Sequence, residues 1–223
     1  QGEINIHPAP QLNKIKNGEW LILSRDRYRL DKLEEDLKIE GVYYERNGET
    51  SINKRVHEAI LAWEDVRRGK AIDVKKVKRF YTYLKTGEGV SKEHKGMKNA
   101  DKEKLYTFDT LSTHYGLKID KDKPWFKALE NIEDTKKTYV RMCLRRQENI
   151  RREPRIKLST IHGSKGSEAD NVMLLTDLSR KTDEEYWRQR DSERRVFYVG
   201  MTRAKNSLNI VRSQTDREFT EAF

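Results

Sequence analysis

The residues of this chain best suited to chemistry are arginines set among apolar neighbours. The stretch Glu193 to Lys205 reads ERRVFYVGMTRAK. Its centre, Val196 to Ala204, is mostly apolar on every side, which reads as a buried helix. Arg195, Val199 and Arg203 stand at i, i+4 and i+8 and so fall along one ridge of that helix. A guanidinium on a buried helix needs a counter-charge. Either a carboxylate of the chain supplies it, with Glu193 facing Arg194 or Arg195, or an external anion does. Phosphate suits a guanidinium, whose planar fork matches two oxygens and never deprotonates. Arg25 is a second candidate. It falls where an apolar strand, Trp20 to Ser24, meets a helical pattern, and in an open α/β sheet that edge is where ligands bind.

The stretch Leu158 to Asn171, LSTIHGSKGSEADN, carries a glycine-lysine turn that invites a P-loop reading. The reading fails, because G-x-x-x-x-G-K-[ST] occurs nowhere in the chain. No acidic pair follows an apolar strand to hold magnesium, since Asp183-Glu184-Glu185 reads as a helix start. By itself the chain is expected to hydrolyse no ATP and to supply no metal ligand. With one cysteine, Cys143, and five histidines, a zinc site is not expected either.

The elements that must position these residues follow from periodicity. Glu3 to Ile6, Trp20 to Ser24, Gly41 to Glu45, Ile156 to Ile161, Asn171 to Thr176 and Ser207 to Val211 read as strands. Leu30, Leu33 and Leu37 mark a helix after Arg25, with Asp26 as its N-cap. Asn47-Gly48 marks a turn. Ser51 is placed to cap a helix through Val56, Ile60, Trp63 and Val66 that ends before Gly69. Ile72 to Leu84, Leu105 to Gly116, Trp125 to Ile132 and Thr135 to Gln147 read as further helices, with Pro124 at the first helical position of the third. Residues 86–99, TGEGVSKEHKGMKN, have no periodicity and read as a mobile solvated loop or one that contacts DNA. The tail from Asp216 reads as a short helix. Strands alternating with helices predict an α/β fold, a parallel sheet with helices on both faces. The organisation is expected to be discontinuous, with residues 1–69 plus 153–223 forming the sheet domain and 70–152 a mostly helical insertion. The insertion's aromatic and basic residues (Tyr81, Tyr83, Tyr106, His114, Trp125, Arg141, Arg145, Arg146) suit a nucleic-acid surface, but most of the aromatics are expected in the core.

Composition sets the outer bounds. The chain has 223 residues, 38% of them charged, a mean hydropathy of −1.00 and a net charge of +10. The charge favours a polyanionic partner, nucleic acid first. No run approaches the roughly 20 apolar residues of a membrane span, and no signal-peptide pattern opens the chain. A single cysteine excludes an internal disulfide and fits a reducing, cytoplasmic compartment.

Together the two glycine- and arginine-bearing stretches resemble motifs V and VI of superfamily 1 helicases of the UvrD/Rep/PcrA type. Thr160, His162, Lys165, Gly166 and Glu168 fit T-x-H-x-x-K-G-x-E. Arg194, Arg195, Tyr198, Val199, Thr202, Arg203 and Ala204 fit E-x-R-R-x-x-Y-V-x-x-T-R-A, with Glu193 one position after the glutamate of the pattern. The stretch ILSRDRYRLDKLEEDL, Ile22 to Leu37, resembles motif IV of the same family. There Arg25 takes the place of a phosphate-contacting arginine, and Ser24 stands where the family has a tyrosine that stacks on adenine.

The resemblance implies a RecA-like second motor domain of the P-loop NTPase fold, the C-terminal half of an ATP-dependent DNA helicase or translocase. It implies movement 3′ to 5′ on single-stranded DNA, in repair, replication, or phage or plasmid maintenance. Arg25 and Arg203 would meet the γ-phosphate, Glu168 the ribose, and Gly166 would let backbone approach the phosphates. Thr160, His162 and Lys165 would face single-stranded DNA or a single-strand/duplex junction. ATP and Mg2+ would be held by an N-terminal RecA-like half, which the abrupt start of the chain leads one to expect. Two other readings compete: a helicase-like module that binds nucleic acid or protein without ATPase activity, and part of a RecB/AddA-type helicase-nuclease.

Overall fold

The pentapeptide WLILS forms strand β2 (Trp20–Ser24), buried at every residue, and the sheet is laid out from it. The computed structural model describes residues 2–12, 15 and 17–222. On either side of β2 run β5 (Ile156–Thr160) and β6 (Ala169–Leu175), both parallel to it. Beyond β6 lie β7 (Ala204–Val211) and β1 (Glu3–His7), again parallel. Beyond β5 lie β3 (Tyr44–Arg46) and β4 (Glu49–Thr50). The described residues thus form a seven-stranded sheet of order β1-β7-β6-β2-β5-β3-β4. Its one antiparallel pair, β3–β4, turns at Asn47-Gly48, where φ is 54° and 78°. Such angles suit a two-residue hairpin loop.

Alternation along β2 divides the core between two faces. Trp20 and Ile22 pack with Leu30, Leu33 and Leu37 of α1 (Arg27–Ile39). Leu21 and Leu23 pack on the other face. Their partners include Tyr186 of α7 (Arg180–Arg188), Phe197 of α8 (Arg190–Met201), Leu174 and Ile210. This is the two-layered cover a buried parallel sheet requires, and the expected α/β architecture with helices on both faces.

The remaining helices are α2 (Lys54–Arg67), α3 (Val74–Tyr81), α4 (Phe108–His114), α5 (Trp125–Ala128) and α6 (Asp134–Arg145). By its contacts the chain divides into two compact units, residues 1–51 with 142–223, and residues 52–141. The boundaries drawn from sequence, after 69 and before 153, assign α2 to the sheet domain. Packing assigns it to the helical unit, because Trp63 of α2 is fully buried there, its ring 5.8 Å from Phe80 and 6.2 Å from Phe108.

Several local readings are revised. Asn53, not Ser51, caps α2, accepting from the amides of Arg55 and Val56, while Ser51 Oγ accepts from the Tyr44 amide. Asp26 sits at the N-cap position of α1, but its carboxylate accepts from the Ser179 amide at 2.7 Å and Thr182 Oγ1 at 2.8 Å instead. Pro124 is the N-cap of α5 rather than its first residue. The 86–99 segment is not a bare solvated loop. It buries Val90 and Met97, and Lys95 Nζ donates to Leu84 O and Thr86 Oγ1. Tyr81, Tyr106 and Trp125 are core residues, as expected, whereas His114, Arg141 and Arg145 are exposed. The tail closes in a single 3₁₀ turn, Thr220–Ala222. No helix among the described residues is long and apolar enough to cross a membrane.

Candidate nucleotide and nucleic-acid site

The helix read as buried all round is covered on one side only. α8 buries Glu193, Phe197 and Gly200, which recur at i, i+4 and i+7, and leaves Tyr198 68% exposed. It is the outer layer of the fold, so only the stripe facing the sheet is enclosed. Gly200 permits the close approach. A Cβ there would stand 3.2 Å from Leu174 Cδ1 and 3.4 Å from Ile161 Cγ1. Sequence reasoning did not single this glycine out, although a glycine within an otherwise apolar helix is a signal for such contact.

The inward turn of α8 also settles the partner of Glu193. Arg194 and Arg195 point away from it. Arg194 pairs with Asp191 and Glu221, and Arg195 is exposed with no partner among the described residues. Glu193 instead receives a two-pronged ion pair from Arg25, with Nε to Oε2 at 2.7 Å and Nη2 to Oε1 at 2.9 Å. The side chains are 18% and 7% exposed. The hydrogen bonds that Arg25 donates to Glu193 raise its pKa above its ordinary value, against the opposing effect of burial. Arg25 therefore clamps the end of β2 to the first turns of α8. Ser24, beside it, is fully buried and its hydroxyl has no hydrogen-bond partner among the described residues. No ring-like surface exists at that position for stacking on a base.

Arg203 lies at the other end of the same helix. The helix stops at Met201, so Arg203 is in the turn before β7 rather than on the ridge with Arg195. Its Nε donates to Val199 O at 2.9 Å, and no carboxylate among the described residues pairs with it. The Ala169 amide donates to the Arg203 carbonyl at 3.1 Å, and Ala169 is in register with Ala204. Glu168 and Arg203 are thus neighbours on the N-terminal edge of the sheet. Glu168 is exposed and has no partner of its own among the described residues. Arg25 is not part of this edge. It follows Ser24, which is in register with Leu175 at the far end of β6. β6 has seven residues, so the two arginines are separated by about 20 Å of strand. Glu168 and Arg203 are thus neighbours through the backbone at one edge of the sheet, and Arg25 lies at the other.

The loop Ile161 to Glu168 joins the two edges. Thr160, half-buried, ends β5 in register with Ser24, and its Oγ1 accepts from the Gly163 amide at 3.1 Å. Buried Ser164 ties the loop down through Oγ to Ile161 O at 2.8 Å. Gly163 is required by crowding, since a Cβ there would lie 2.8 Å from Ser159 Oγ. Gly166 is required by its backbone, with φ +80° and open space where a Cβ would be. His162 and Lys165 are exposed and have no side-chain partner among the described residues.

The mostly parallel sheet with helices on both faces is an α/β fold of the RecA-like kind, consistent with the family it matches. The chain belongs to the UvrD-like helicase C-terminal domain family, whose model matches residues 41–215. That span contains both the loop and α8, and it begins after Arg25. Two proteins named "Probable DNA helicase II homolog", from Rickettsia conorii (strain ATCC VR-613 / Malish 7) and Rickettsia felis (strain ATCC VR-1525 / URRWXCal2), are each 36% identical over 72 residues. The matched stretch covers 30% of this chain and 11% of each relative.

Proposed function

We propose that this chain serves as the second RecA-like domain of an ATP-dependent DNA helicase or translocase, moving 3′ to 5′ on single-stranded DNA. The observation that carries the reading is the Glu168–Arg203 edge, where the two residues are neighbours through the backbone and neither side chain has an ion-pair partner among the described residues. A purely structural arginine would be expected to find a carboxylate, as Arg25 does. Residues at this edge fit a nucleotide: Arg203 offers a donor fork to phosphoryl oxygens, Glu168 an acceptor to ribose hydroxyls, and Gly166 a backbone free of side chain.

Because the chain has no Walker A sequence, the triphosphate and Mg2+ would be held by another RecA-like domain of the same protein. When bound, ATP would supply the phosphoanhydride whose cleavage drives the motor. Arg203 reaches across the cleft as a finger and stabilises charge on the γ-phosphoryl oxygens. Its attraction is greater for triphosphate than for diphosphate, and that difference in affinity biases the cleft between closed and open forms. Thr160 and His162, at the start of the loop, and Lys165 within it hold single-stranded DNA. Arg25, locked to Glu193, keeps α8 on the sheet and so sets the position of Arg203 without touching nucleotide.

The test is single-stranded-DNA-stimulated ATP hydrolysis by the full-length protein and by its Arg203→Ala variant. The expected result is a loss of about a thousandfold or more in turnover with retained binding of a non-hydrolysable ATP analogue. Turnover within a few-fold of the parent would overturn the assignment of Arg203. Absence of any DNA-stimulated turnover in the parent would reduce the domain to a binding module.

A further inference from the structure

The α7–α8 corner carries an aromatic ring that the fold does not use. Trp187 is 61% exposed, whereas Trp20, Trp63 and Trp125 are buried. It stands in the last turn of α7 beside Tyr186, which is fixed in the core by its ring contact with Phe219 at 5.6 Å and its hydroxyl bond to Glu221 at 3.0 Å. The guanidinium of Arg190, the first residue of α8, lies 4.6 Å from the centroid of the Trp187 ring. Held between a rigid tyrosine and a stacked arginine, the indole is pre-set rather than free to swing.

The charges around it favour an anion. On these two helices Glu184, Glu185 and Asp191 are each answered by a neighbouring cation. Arg188 and Arg195 have no carboxylate partner among the described residues, and Arg190 forms no ion pair there but lies within electrostatic reach of Glu221; Asp183 is the one acid of these helices without a cation partner there. An exposed indole backed by a guanidinium and flanked by surplus positive charge is suited to stacking on a nucleobase while arginines meet the backbone.

We propose that Trp187, with Arg190 behind it, is a stacking platform for one base of single-stranded DNA. The proposal rests on the reading that this chain engages single-stranded DNA, and it adds a contact outside the Ile161–Glu168 loop. Arg190 stiffens the ring, and Arg188 and Arg195 attract the phosphates on either side of the stacked base.

The experiment uses the 223-residue chain and fluorescein-labelled oligothymidylate. Anisotropy reports binding, and intrinsic tryptophan emission reports stacking, because the other three indoles are enclosed. Saturating oligonucleotide should quench the emission, and Trp187→Phe should abolish the quenching while keeping most of the affinity. Trp187→Ala, which removes an exposed side chain and leaves the core intact, should weaken binding about five- to a hundredfold. Binding without quenching, or unchanged affinity in Trp187→Ala, overturns the platform, leaves the DNA reading standing and assigns the ring to a protein partner. No binding by the parent chain overturns both.

Discussion

The two ends of α8 hold the same pair of residue types put to opposite uses. At the first turns, Arg25 and Glu193 are joined by two hydrogen bonds at 2.7 and 2.9 Å and withdrawn from water. Beyond the last turn, Arg203 and Glu168 sit on adjacent strand starts, yet neither forms an ion pair among the described residues. The first pair has spent its charge on holding the fold. The second has its charge available, which is what a site for an external phosphate requires. An arginine's role in this domain is set by whether a carboxylate is within reach of its fork.

That contrast can be broken most sharply at Arg203. Its replacement by alanine should cut DNA-stimulated ATP turnover of the full-length protein about a thousandfold, yet leave the midpoint of thermal unfolding nearly unchanged, because the side chain is only half-buried. Arg25→Ala should do the reverse. Leaving Glu193 enclosed without its partner should destabilise the chain by about 3 kcal/mol, read from urea unfolding. The double variant Arg25→Ala/Glu193→Ala should regain part of that loss, since no charge is then stranded. If Arg25→Ala instead spared stability and abolished turnover, the division between the two ends would collapse.

A subtler test concerns the C-terminal segment behind α8. Burial alone would raise the Glu218 pKa, but donors from Arg212, the Ser213 amide and Thr176 outweigh it and hold the carboxyl below its ordinary range. The charged form is therefore favoured by folding. Its contribution is complete above the unfolded value of about 4.3 and is lost as pH falls through the lower folded value. Glu218→Gln should remove about 1 kcal/mol at neutral pH and flatten the decline of stability in that acidic window, as followed by thermal melts. The smallest effect is expected from Lys165→Ala. It should weaken oligonucleotide binding a few-fold and reduce the slope of log K against log salt by about 0.7. A slope that did not change would remove Lys165 from the DNA surface.

Legibility varied by element for identifiable reasons. β2 and the second half of β6 announced themselves because strands buried on both faces must be continuous apolar runs, whereas β5, IKLST, alternates buried and exposed residues over its first half. The loop of Thr160 to Glu168 was legible as a motif, and His162, Lys165 and Glu168 on it are exposed. The environment of α8 was misread, because apolar residues around a helix do not reveal how many sides a neighbour covers. Val196, Val199 and Met201 are only partly enclosed. Gly163 and Gly200 passed unremarked, since the neighbours that approach them closely are Ser159 in one case and Leu174 and Ile161 in the other.

What the sequence determined by itself was the class of the domain. Periodicity fixes which segments are strands and helices, and the spacing of Thr160 to Glu168 and Glu193 to Ala204 marks the family. Which arginine is paired with a carboxylate and which is not was decided only by the tertiary structure. The partner of Arg25 lies 168 positions away in the chain, and the neighbour of Glu168 at the sheet edge is set by the register of β6 against β7. Local spacing carries no information about either, because both depend on how strands distant in sequence are stacked side by side.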